Sequence, residues 1–175
     1  MQGADLSSVR NRTLGQVKFS NAADLRRASL VGAELQGARL AGADLSGADL
    51  TLANLQGAGL FHASLDGAGL RGAQMQGADL NNAFMRGADL SSANLKGANL
   101  SAAHLEGARF DDASSLALAL VRHVYVWRAT GAKCADAQVV GPQLDLIVGK
   151  NERKATADEQ ESEIENWFGD LEEKK

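Results

Sequence analysis

From Leu25 to Phe110 every fifth residue is large and apolar, and two positions before each stands an alanine. Written in fives from Asn21, the chain reads NAADL RRASL VGAEL QGARL and so on to DDASS at 111–115. The fifth position is Leu in 15 of the first 18 units, with Met75, Met85 and Phe110 as exceptions, and the third is Ala in all 19. A period of five fits neither the 3.6 of a helix nor the alternation of one long strand. A coil with corners satisfies it. If each unit forms one side and then turns, the large residue and the alanine two places earlier both point inward, and the other three positions face out.

Composition agrees with a regular core rather than an irregular one. The 175 residues include 19 glycines and one proline, and only 5% are aromatic. Glycine precedes the alanine in 11 of 19 units, where a sharp turn benefits from a residue without Cβ. Asp, Asn, Ser, Gln, Arg or Glu usually precedes the leucine, and Asp and Asn side chains can bond neighbouring backbone groups and steady the turn.

The triplets Ala43-Asp44-Leu45, Ala78-Asp79-Leu80 and Ala98-Asn99-Leu100, each followed by two variable residues, carry a resemblance to the pentapeptide-repeat family over about 95 residues. The resemblance implies an all-β solenoid, a right-handed quadrilateral β-helix with four units per coil. Side chains 20 apart then stack in columns. Leu25, Leu45, Leu65, Met85 and Leu105 share one inner face, and Leu30, Leu50, Leu70, Leu90 and Phe110 the next.

Three segments follow from the pattern. Residues 1–115 form the β-helix, regular from 21, with Gly3-Ala4-Asp5-Leu6 as an out-of-phase unit upstream. After Ser115 the period dissolves, and 116–149, rich in strand formers around Val121–Trp127, is expected to be a terminal coil and cap, with a ligand pocket around Tyr125 and Trp127 as the alternative. Residues 150–175 read as a polar linker and a short C-terminal α-helix: Thr156–Glu159 fits a capping box, and Ile164, Trp167, Phe168 and Leu171 make one apolar stripe. That stripe folds onto the cap or pairs with a second chain, giving a homodimer through the helix or cap. The chain opens inside a repeat, from which it is expected to be the C-terminal part of a larger bacterial protein, or an array whose first coil meets a partner.

No constellation for chemistry stands out. Cys134 is alone, which excludes an intrachain disulfide and a cysteine-based metal site. His62 and His104 fall two coils apart in different columns, a poor arrangement for a shared metal. The glycines follow the repeat and build no phosphate loop. The reading is therefore no enzyme, no catalytic or metal residue and no cofactor. The N-terminus lacks a secretory pattern and no apolar run approaches the roughly 20 residues of a membrane span, so a cytoplasmic location is expected. The net charge of −4 has the wrong sign for direct nucleic-acid binding.

One breach of the outward-polar rule marks a candidate protein contact. Phe61, His62, Phe84 and His104 lie at outward positions around one corner in neighbouring coils, while Leu52 lies on a different side. These features support a non-catalytic structural scaffold or protein–protein interaction module with an unknown protein partner. The resemblance implies an alternative, a DNA-mimicking inhibitor or protector of gyrase or another topoisomerase, because some family members resemble duplex DNA in width and charge and dimerise through a C-terminal helix. This chain departs from that pattern: residues 21–115 carry only −3, mixed in sign, with no inserted loop.

Overall fold

The computed structural model describes residues 23–111, 114–126 and 129–130. Within them the chain forms stacked four-sided coils. Each fourth-position residue bridges in parallel to the residue one coil on: Asp24 to Asp44, Asp44 to Ser64, Ser64 to Phe84, and likewise up to Asp89 with Arg109. The first side of successive coils ends at Leu25, Leu45, Leu65, Met85 and Leu105, the second at Leu30, the third at Leu35 and the fourth at Leu40, with their 20-residue successors.

The backbone bonding explains why five residues make one side. Asp44 N–H donates to Ala23 of the coil before (3.0 Å), and Leu45 and Gly47 donate to Ser64 (2.7 Å) and Asp66 (2.9 Å) of the coil after. The amide of Ala48 closes the corner on the Leu45 carbonyl at 2.9 Å. In that corner only Gly47 has a positive φ, at 65°, the mark of a type II turn, which favours glycine at this place. One amide per unit, at the first position, is left over by this scheme. A fourth-position Asp or Asn two residues back takes it: Ser46 N–H donates to Asp44 Oδ1 at 3.0 Å, Thr51 to Asp49 at 3.0 Å, and Ser101 to Asn99 at 3.1 Å.

Inside, leucines and alanines form most of the core, with Met75, Met85, Phe110, Val121, Val124 and Val126, and no polar residue is buried among the described residues. Leu45, Leu65, Met85 and Leu105 are fully buried, as are Leu50, Leu70 and Leu90. At the ends of the two columns Leu25, Leu30 and Phe110 are nearly so.

After Phe110 the period changes phase, and the coil continues through the described residues up to Val126. Asn94 bridges to Ser115, Asn99 to Leu120, His104 to Tyr125 and Arg109 to Thr130, each 21 residues on instead of 20. Leu116, Val121 and Val126 take the inward fifth position, and Ala119 and Val124 the third. The extra residue enters at the corner after Phe110. Ser114, not Ala113 as the fivefold count expects, precedes the bridging position, because Ser115 N–H donates to Ala93 O (2.9 Å) as a fourth-position residue does. Polar bonds replace the ladder there: Asp111 accepts from the Ser92 amide (2.7 Å) and hydroxyl (2.9 Å), and Ser114 Oγ donates to Leu90 O (2.9 Å).

The expectations for residues 1–20, for Cys134 and the cap from 131 to 149, and for the linker and helix of 150–175 lie outside the described residues. Among the described residues no helix is long and apolar enough to cross a membrane.

Candidate interaction surface

The outward column of the first side runs Asp24, Asp44, Ser64, Phe84, His104 and Tyr125. Its upper half is a stack of rings. Phe84 and His104 lie 4.9 Å apart between centroids at 18°, and His104 and Tyr125 lie 4.1 Å apart at 7°. The spacing follows from the fold, because adjacent strands sit about 4.8 Å apart and bridged residues point the same way. Flat rings in one column must therefore meet face to face. Phe84 and His104 thus share a column, as the count of 20 requires. Tyr125 joins them only because of the extra residue after Phe110.

Arg86 ties the flank of this stack together. Its guanidinium carbon lies 5.1 Å from the Phe84 ring centroid, and Nη2 approaches His104 Nδ1 at 3.3 Å. Asp66 Oδ2 lies 3.6 Å from Nη1, and Glu106 Oε1 lies 3.7 Å from Nε and 3.1 Å from His104 Nδ1. Phe84 offers no carboxylate for the first-position amide of Arg86, and Asp66 Oδ1 from the coil before accepts it at 2.8 Å. Glu106 Oε2 is buried with no hydrogen-bond partner among the described residues.

Phe61 and His62 occupy the corner that precedes the first side. They meet each other edge to face at 6.0 Å, and no ring contact joins them to Phe84 among the described residues. The four candidate residues are thus two pairs rather than one cluster. Phe61 remains 46% exposed. This corner is unusual in its backbone. His62, Asn82, Ala102 and His123 all adopt positive φ of 52–56° where other corners mostly carry glycine. Each such residue costs roughly 1 kcal/mol or more in strain. Leu52, 64% exposed, lies at a different corner and reaches over Gly72 of the next coil, with its Cδ2 2.8 Å from where a Cβ would stand.

At the foot of the column the charges are paired. Arg26 donates to both carboxylate oxygens of Asp24 (2.9 and 2.8 Å), and its side chain first, then its amide, hold Asp24 at about 2. On the second side the Ser91 hydroxyl, then its amide and the charges of Arg109 and Arg71, keep Asp89 below the usual carboxylate range against the opposing effect of burial. No group of three or more His, Cys, Asp or Glu side chains among the described residues is arranged to hold a metal. The Ile164, Trp167, Phe168 and Leu171 stripe, and Trp127, lie outside the described residues.

The family pattern of pentapeptide repeats, in eight copies, matches residues 21–57, 53–91 and 93–114, more than half of the chain. No curated protein matches significantly. Among solved structures, a pentapeptide repeat protein from the Arabidopsis thaliana thylakoid lumen is 27% identical, with 68% of this chain and 86% of that one covered and a TM-score of 0.49. HetL, a pentapeptide repeat protein involved in heterocyst differentiation regulation from Nostoc, is 30% identical over 89% of this chain and 72% of its own, with a TM-score of 0.30. QnrB1, a plasmid-mediated fluoroquinolone resistance protein, is 18% identical over 73% and 78%, with a TM-score of 0.31. The chain belongs to the pentapeptide repeat family, whose fold is a right-handed β-helix solenoid.

Proposed function

We propose that this protein is a non-catalytic interaction module that presents the first side of its β-helix to a protein partner. The observation that carries the reading is the ring column Phe84–His104–Tyr125, three rings stacked on one outer side. Such rings supply large contact area at low conformational cost, and Phe61 extends the apolar surface at the neighbouring corner. The strained corner at His62, Asn82, Ala102 and His123 borders the same side, which is where backbone strain is expected if the outward side chains serve recognition rather than stability.

The test is affinity capture on the immobilised chain, comparing wild type with Phe61→Ser/Phe84→Ser and, as a control on another corner, Leu52→Ser. A protein retained by wild type and by the Leu52 variant but lost from the double variant supports the reading. Equal retention by all three sinks it.

The acidic residues of the array do not favour a DNA-mimicking role. Asp44, Asp49, Asp79, Asp89 and Asp111 cap backbone amides, and Asp24 and Asp66 are held by Arg26 and Arg86. Duplex DNA, by contrast, carries one negative charge for about every 1.7 Å of its axis.

A further inference from the structure

We infer that the partner engages the first side with an arginine, seated on the free face of Phe84 above Ser64. The inference deepens the reading just given and rests on it. The ring stack stops at Phe84: one face meets His104, and along the column on the other side comes Ser64, the smallest side chain of the column. Ser64 Oγ is turned to Ser46 Oγ at 2.7 Å, so its hydroxyl belongs to the corner beside it. Among the described residues no ring lies on the Ser64 side of Phe84. A flat group inserted there continues the column at the spacing the coils impose.

Charge selects which flat group. The step is bordered by Asp66 in the same coil and by Asp44 in the coil before, whose carboxylates are 37% and 43% exposed. Their cationic neighbours are divided: Arg26 Nε reaches Asp44 only at 3.7 Å while its Nη2 binds Asp24 at 2.8 Å, and Arg86 is shared between Asp66 and Glu106. The group comprising Asp24, Asp44, Asp66 and Glu106 with Arg26 and Arg86 has a formal charge of −2. A guanidinium satisfies both demands. Its plane stacks on an aromatic face, and its N–H fork reaches a carboxylate. Arg86 makes the same pair of contacts from within the chain, beside Phe84 and against Asp66. A neutral ring from the partner satisfies the stack alone, and a lysine ammonium satisfies the charge with no plane to match.

The experiment is NMR on the full isotope-labelled chain, titrated with three blocked pentapeptides, Gly-Gly-Xaa-Gly-Gly with Xaa as Arg, Lys or Tyr. The Arg peptide is expected to shift the Phe84 ring and Ser64 amide signals, more strongly than the Lys peptide and less so as salt is raised. Phe84→Leu and Asp66→Asn, each checked for an unchanged β-type circular dichroism spectrum, should each weaken it by about threefold or more. If the Tyr peptide shifts those signals and the Arg peptide does not, the arginine assignment is overturned while the first side stands as a contact surface. If none of the three perturbs the column, the inference and the reading beneath it both fall.

Discussion

Leu70 has no exposed surface, stands in the middle of its column and has a leucine above and below it in the stack. Leu70→Ala leaves a cavity that the flanking coils close only in part, and a loss of about 2–5 kcal/mol is expected. Leu70→Asp places a carboxylate where no polar partner exists and should abolish the cooperative thermal transition followed by circular dichroism. Asp89 is the opposite case, a half-buried carboxyl whose folded-state acidity is strengthened chiefly by the Ser91 hydroxyl. Because its pKa is lower folded than unfolded, it stabilises the native state above roughly pH 4, its unfolded value, and that contribution fades as the pH falls through the folded value. Melting temperatures of wild type and Asp89→Asn should therefore differ modestly at pH 7 and converge well below pH 4. Solvent screening keeps the difference under about 1 kcal/mol.

At the scale of one side and one corner, the inward pattern is the same in every unit while the outward residues are not. Removing one whole unit, residues 86–90, joins Met85 to Ser91 and keeps every third and fifth position in phase. The far-UV spectrum and cooperative melt are expected to survive. His104 would turn away from Phe84 by a quarter of the coil, and the ring-current shifts of the two residues seen by NMR should vanish. The same logic separates what the sequence made legible from what it hid. The buried columns were readable because Leu or Met recurs at every fifth place and nothing competes for the slot. Phe84 and His104 were placed near one another because 20 residues part them. Tyr125 escaped the count, since 21 residues separate it from His104, and the reason is the insertion at 111–114. That insertion was not legible. Ala113 fits the fivefold rhythm as well as any alanine does, and the choice of Ser114 is supported by its own bond to Leu90 and by those of Asp111 with Ser92, which lie a coil away in sequence. Phe61 and Phe84 were expected around one corner in neighbouring coils; Phe61 stands on that corner and Phe84 on the side that follows it, so their rings pair with His62 and His104 respectively.

For the molecule as a whole, stability comes from neighbouring coils, each of which buries its leucines only with another above or below it. Residues 21–115 carry a net charge of only −3, mixed in sign, far below the charge density of duplex DNA. A supercoiling assay with purified DNA gyrase is accordingly expected to show no inhibition by this protein at micromolar concentration. Inhibition lost on changing Asp44, Asp49 and Asp89 to Lys would overturn that expectation. A core that reads the same in every unit tolerates a change in the number of units. Gain or loss of 15 bases in the gene, one unit of five residues, leaves the hydrophobic interior undisturbed. Such an error rotates everything downstream on the exterior by a quarter turn. Lineages of these rods can thus rearrange which surface groups are neighbours by changing length alone, with no point substitution at the surface.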